Sequence, residues 1–196
     1  MTKKFERSPG RPRSFDPELV VEVAQKLFHA RGYDSVSIAD ITSALGINPP
    51  SFYGVFGSKM GLYSRVLERY AKTDAIPIPY LLCSERPMLI ALTALLEESA
   101  RRYGSSQTCT GCLVIEGTRC TDKDARKAAN VFHTAAEENI RRFIGTRYPQ
   151  DADRLTDFIS TVMSGLSIKA RQGHSVEQLL ASARLAAQAL SSLVKD

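Results

Sequence analysis

A chain of 196 residues with 43% hydrophobic side chains is long enough for a small domain joined to a larger one, and its four cysteines are too few for a secreted disulfide scaffold. No apolar run approaches the roughly 20 residues of a membrane span, and no apolar stretch follows the basic N-terminus, so a cytoplasmic protein with reduced thiols is expected. The net charge of +5 sits mostly at the front, where Lys3, Lys4, Arg7, Arg11 and Arg13 face only Glu6, an arrangement that suits a polyanion better than a small acidic substrate.

Residues 1–15 contain Ser8-Pro9-Gly10-Arg11-Pro12-Arg13, where two prolines and a glycine oppose regular structure, so this segment reads as a flexible basic arm. From Pro17 to Ala30 the residues Val20, Val23, Ala24, Leu27 and Phe28 recur at helical spacing. Asp16 stands as N-cap, Pro17 at the first helical position and Gly32 just past the end. Ser37 caps a second, short helix with Ile38, Ile41 and Leu45 on its apolar face, and Asp40 stands where a capping box has Glu or Gln. It ends at Gly46. Asn48 and Pro49 start a third helix that runs to about Phe56, because Asn caps free N–H groups and Pro lacks one. Gly57 breaks it, Ser58 caps again, and a fourth helix from Lys59 to about Thr73 puts Leu62, Tyr63, Val66, Leu67 and Tyr70 on its buried side. With Pro77, Pro79 and Pro87, the stretch 75–87 reads as a linker between domains at 16–74 and 88–196. Helical periodicity then continues through roughly Met88–Tyr103, Gly111–Thr118, Lys123–Gly145, Asp151–Arg171 and Val176–Val194. The expected fold is all-α, with about nine helices, no strand and no internal repeat.

Two short helices joined by a glycine turn, behind a buried first helix, make a helix-turn-helix. Gly46 permits the sharp turn, and Ile47 plugs the angle between the helices. Side chains near the N-terminus of the second helix of the pair reach base edges in a major groove, while flanking donors hold phosphates.

The run Gly32-Tyr33-Asp34-Ser35-Val36-Ser37-Ile38-Ala39-Asp40-Ile41, then Ala44-Leu45-Gly46-Ile47-Asn48, then Ser51-Phe52-Tyr53-Gly54-Val55-Phe56-Gly57-Ser58-Lys59-Met60-Gly61-Leu62-Tyr63, resembles the N-terminal domain of the TetR family of bacterial repressors. The likeness covers about residues 15–70 without a gap. It implies a phosphate-binding hydroxyl at Ser37, DNA-backbone contacts from Tyr53 and Lys59, and base reading by Asn48, Pro50, Ser51 and Gly54. The bland alternative for Tyr53 is a buried core ring. Consecutive prolines at 49 and 50, and Gly54 where a larger polar residue is frequent, depart from the common pattern and shift weight toward thymine methyls and DNA shape. Placed before such a unit, Gly10-Arg11-Pro12-Arg13 resembles the core of an AT-hook, which would set Arg11 and Arg13 in an A·T-rich minor groove.

In the second half the likeness thins to Gly111-Cys112-Leu113-Val114 and Met163-Ser164-Gly165-Leu166-Ser167. The family implies a helical domain that encloses a small-molecule pocket and dimerises through its last two helices. Apolar stripes on those helices point to a homodimer interface of Phe158, Val162 and Leu166 with Leu179, Ala183, Ala186 and Leu190, unless the stripes face their own core. Tyr103, Glu116, Arg119, Phe132 and His133 are the pocket candidates, and nothing names the ligand. Cys109-Thr110-Gly111-Cys112 followed by Cys120 lacks the βαβ context of a thioredoxin-like site and the second ligand pair of a zinc site. What remains for these thiols is a redox or electrophile switch, or partly buried packing.

The expected function is a ligand-responsive repressor that binds a palindromic operator in double-stranded DNA as a dimer, with no cofactor. Two alternatives stand beside it: a thiol-based redox- or electrophile-sensing repressor, and a helical interaction module without DNA binding. An enzyme would need a nucleophile–base pair or a metal cluster, and the sequence offers neither, so no catalytic residue or metal ligand is named.

Overall fold

The structure, a computed structural model, describes residues 15–83 and 85–194, and in them all regular secondary structure is helical. The basic arm, with Arg11 and Arg13, lies outside the described residues.

The first four helices are α1 (Pro17–Arg31), α2 (Ile38–Leu45), α3 (Pro49–Phe56) and α4 (Lys59–Thr73). Each begins on the expected cap. The Asp16 carboxylate accepts from Glu18 N, the Ser37 hydroxyl from Asp40 N, the Asn48 carbonyl from Ser51 N and the Ser58 hydroxyl from Gly61 N, at 2.9–3.0 Å. The capping box at α2 is complete despite the shorter acid, since Ser37 N donates to Asp40 Oδ2 at 2.7 Å. Gly46, at φ 64°, and Gly57, at φ 70°, make the left-handed turns that end α2 and α3, a region that costs a residue with Cβ. On α1 the buried face is Val20, Val21, Ala24 and Phe28, with Leu27 partly buried at its margin. Phe28 meets Tyr63 edge-on at 5.3 Å between ring centroids, and Tyr33 leans on the same ring at 4.7 Å, so one aromatic cluster locks α1 to α4.

Residues 75–87 hold a turn of helix that the prolines concealed, α5 (Ile78–Leu81). Pro77 is its N-cap and Pro79 lies in its first turn, where a missing N–H costs nothing, and Ile78 and Leu81 are buried against its neighbours. Then follow α6 (Met88–Gly104), α7 (Leu113–Gly117), α8 (Lys123–Gly145), α9 (Ala152–Arg171) and α10 (Val176–Ser191). Two of these are shorter than expected: α7 is a single turn and α10 stops at Ser191.

The central helix is α6, buried through Ala91, Leu92, Leu95 and Leu96 and packed on α5, α9 and α10. Small residues set the spacing: Ala183 and Ala187 are buried on α10, and a Cβ on Gly104 would stand 2.9 Å from Val176 Cγ2. The second long helix, α8, packs on α9, α7 and α4. One apolar core runs from α1 to α10. Among the described residues no helix is long and apolar enough to cross a membrane.

Candidate nucleic-acid interface and inner cavity

Helix α3 is one-sided. Phe52 and Phe56 are buried with ring centroids 5.2 Å apart, while Asn48, Pro50 and Gly54 are exposed and Ser51 is half-exposed on the opposite side. Tyr53, 49% exposed, stands edge-on to Phe52, so it is a surface ring and not a core one. The Asn48 cap uses Oδ1 and not the NH2 group. A Cβ on Gly54 would meet nothing within 4 Å, so packing does not explain this glycine.

Two of the expected backbone-contact residues are already engaged. The Ser37 hydroxyl donates to Asp40 Oδ2 at 2.6 Å, so a phosphate at Ser37 must take that proton from a carboxylate. Asp40 holds it strongly: hydrogen bonds from the Ser37 hydroxyl and backbone, with Arg31 nearby, pull its pKa down to about 2. Lys59 Nζ sits 3.9 Å from the centroid of the Tyr33 ring. Burial there lowers its pKa, while Asp34 and Asp122 act in the opposite direction.

Three contacts join this unit to the helices behind it. Asp34 receives Thr121 N at 2.7 Å and Asp122 N at 3.4 Å, which ties the turn before α2 to the two residues that lead into α8. These backbone donors lower the Asp34 pKa, Thr121 N–H most. Buried His29 reaches Gly111 O at 3.1 Å, an acceptor that requires the proton on Nε2, and Arg171 donates to His29 O at 2.8 Å. Desolvation lowers the His29 pKa. Finally, Tyr70 Oη on α4 donates to Cys112 Sγ at 3.6 Å. Asp34, His29, Tyr70 and Arg171 carry no sequence signal for this task, because their partners lie 42–142 positions away.

Behind Tyr70 lies a cavity of about 240 Å³, with a mostly apolar lining. Of the five expected pocket residues, Tyr103, Phe132 and His133 line it. Glu116 and Arg119 do not: Glu116 is turned to Arg171, 3.5 Å away, and Arg119 is exposed on the segment after the single turn of α7. Tyr70, Cys112, Glu137 and Ser160 are lining residues that the sequence reading did not select. Glu137, four positions after His133, was detectable as its neighbour on one helix face.

All three loop thiols are unpaired. Cys112 is a buried wall of the cavity, Cys109 is half-buried with Sγ 3.8 Å from Lys26 O, and Cys120 is buried near Asp34 and Lys59. Burial, with Asp34 and Glu116 adding to it, pushes the Cys120 thiol up to about 11, which disfavours the reactive thiolate. Since α7 has five residues, its N-terminus gives Cys112 little of the helix-dipole help that a longer helix would provide.

The expected dimer stripe is corrected in part. Leu179, Ala183 and Leu190 face the chain's own core. Phe158 is 37% exposed, and Val162 and Ala186 line a shallow depression with Gly165 and Ser182, whose floor includes the mostly buried Leu166. Leu185 on α10, 66% exposed, and Leu193 in the turn after it are further exposed apolar side chains. The wide stripes serve the core along one edge and leave the other edge open.

Residues 20–66 match the model for bacterial regulatory proteins of the tetR family. The chain is 50% identical over its full 196 residues, and the full length of the relative, to the HTH-type transcriptional repressor BdcR of Escherichia coli (strain K12). It is 31% identical to the HTH-type transcriptional repressor ComR of the same strain, over 99% of this chain and 98% of that one. Among solved structures it is similar to a cysteine mutant of the TetR family transcriptional regulator CifR complexed with double-strand operator DNA. That match has a TM-score of 0.81 and 31% identity and covers 91% of this chain and 99% of the other.

Proposed function

This chain belongs to the TetR family of bacterial regulatory proteins, and from that premise we infer that it is a transcriptional repressor that binds operator DNA as a homodimer and releases it when a small molecule fills the inner cavity. The observation that carries the reading is the one-sidedness of α3, which buries Phe52 and Phe56 and presents Asn48, Pro50, Tyr53 and Gly54 on a single exposed face.

In this reading residues 16–74 are the DNA-binding unit and 88–196 the effector and dimer unit, with 75–87 between them. Asn48, Pro50, Ser51 and Gly54 face base edges, Ser37, Tyr53 and Lys59 face phosphates, and Arg11 and Arg13 of the arm enter a minor groove. The dimer forms through the outer edge of α9 and α10, with Phe158, Val162 and Ala186 joined by Leu185. A molecule in the cavity pushes on Tyr70 and Cys112, the pair that bridges α4 and α7, and so changes the separation of the two α3 helices in the dimer.

The test is an electrophoretic shift with the promoter region nearest the protein's own coding sequence, competed by unrelated DNA. Retardation that survives a large excess of competitor is expected. Equal affinity for both DNAs, after correction for salt, defeats the operator reading.

A further inference from the structure

The cavity's chemistry restricts what it can hold. Its volume of about 240 Å³ compares with the roughly 150 Å³ that admits benzene, so it suits a compact molecule of about ten non-hydrogen atoms. Tyr70, Tyr103 and Phe132 supply aromatic surface, and among the described residues the lining includes no Lys or Arg. Glu137 is the one carboxylate among them.

Glu137 is held in place but not saturated. Ser160 Oγ donates to its Oε1 at 2.5 Å, and His133 Nδ1 stands 3.5 Å from Oε2. A carboxylate has about four lone-pair sites, so a further donor can be received. Glu137 also lines an adjoining cleft with Glu138, Asp153 and Asp157. The cation in that cleft, Arg141, is committed to Glu138 through two hydrogen bonds of 2.8 and 2.9 Å. Thr156 lines the cleft too, and its buried Oγ1 has no hydrogen-bond partner among the described residues. The cleft holds four carboxylates, Glu137 among them, and a cation already paired, so the field at Glu137 is negative and favours a cation there over an anion. An anionic ligand inside would lose its hydration beside a carboxylate with no Lys or Arg in the lining to compensate. A cation gains a charge-assisted hydrogen bond and aromatic faces.

Resting on the effector role assigned above to this cavity, we propose that its ligand is a small organic cation, a monoamine with an aromatic or branched aliphatic body. The ammonium donates to Glu137, and the body lies against Tyr70, Tyr103 and Phe132.

Calorimetric titration of the full-length protein with phenethylamine, phenylethanol and phenylacetate, three probes of similar size, separates charge from fit. Phenethylamine is expected to bind about tenfold more tightly than phenylethanol, with phenylacetate weakest. Glu137→Gln should bring the first two within about twofold of each other. Ala136→Phe fills the cavity, and Ala71→Leu, at an exposed position of the same wall, does so with less demand on the fold; each should abolish binding of both probes. No binding of phenethylamine, equal or tighter binding of either other probe, or an amine preference that survives Glu137→Gln overturns the proposal. If phenylethanol still binds and the blocking variants remove it, the cavity remains the effector site and only the charge assignment falls. Amine binding undiminished in both blocking variants overturns the effector cavity as well.

Discussion

Replacing Gly54 with alanine should stabilise the protein and weaken its hold on DNA in the same molecule. Gly54 lies inside α3, and a Cβ built on it meets nothing within 4 Å. Alanine in a helix interior is favoured over glycine by about 0.5–1 kcal/mol, because glycine loses more backbone freedom on folding. For a chain of this size that gain corresponds to a rise in Tm of about 1–4 °C at fixed protein concentration. Gly57 provides the internal control: three positions further on, at φ 70°, alanine is forced into the left-handed region and should cost about 1–2 kcal/mol. A glycine that costs stability, and that packing does not require, has its use on the exposed side, which in the function proposed above faces the DNA groove. Gly54→Ala should therefore reduce operator affinity by about fivefold, roughly 1 kcal/mol, through the added methyl group. Differential scanning calorimetry and fluorescence anisotropy on a labelled operator read the two effects separately. An unchanged or lowered Tm refutes the argument from open space, and unchanged affinity with raised Tm shows that Gly54 plays no part in binding.

Tyr53→Phe removes one exposed hydroxyl and should weaken binding to all DNA sequences alike without moving Tm. Lys59→Ala should flatten the log–log salt dependence by about 0.9 and lower stability by about 0.5–1 kcal/mol through the lost contact with Tyr33; a salt slope equal to wild type would assign Lys59 to the fold alone. On α10, buried Leu179→Ala should cost about 2–5 kcal/mol, whereas Leu185→Lys should shift the monomer–dimer equilibrium. Sedimentation at several concentrations checks this pair, and a Leu185→Lys protein that dimerises normally would move the interface elsewhere. Asp40, held at about 2 against an ordinary 3.8, contributes stability that is complete above 3.8 and lost as pH falls from there toward 2. Asp40→Asn should accordingly show a shallower decline in Tm over that interval, and identical acid profiles would contradict the capping-box assignment.

Local rules decided much of this protein. Four side-chain caps, a proline at the start of α1 and α3, and glycines 46 and 57 determine the helix-turn-helix without any tertiary contact, since each acts within about four residues. The family likeness drew on the same short-range features. Position-by-position packing was less legible. Periodicity showed that α9 and α10 carry wide apolar stripes, but it could not divide Leu179 and Leu190, buried against the chain's own core, from Leu185 on the outer face. Similarly, Pro77 and Pro79 read as linker residues, while the burial of Ile78 and Leu81 stabilises a turn between them.

The cavity and the joints around it belong to the tertiary structure alone. Glu116 and Arg119 looked like pocket residues, but after the short α7 the first turns to Arg171 and the second to solvent, while Tyr70 and Glu137 arrive from helices distant in sequence. Likewise, Lys59 and Ser37 are a cation and a hydroxyl in the sequence, and only folding sets the Tyr33 ring beneath one and Asp40 beside the other. The physical reason is one of range: caps and periodicity are written within a few residues, whereas a concave pocket and paired charge depend on which distant side chains the packed helices bring together.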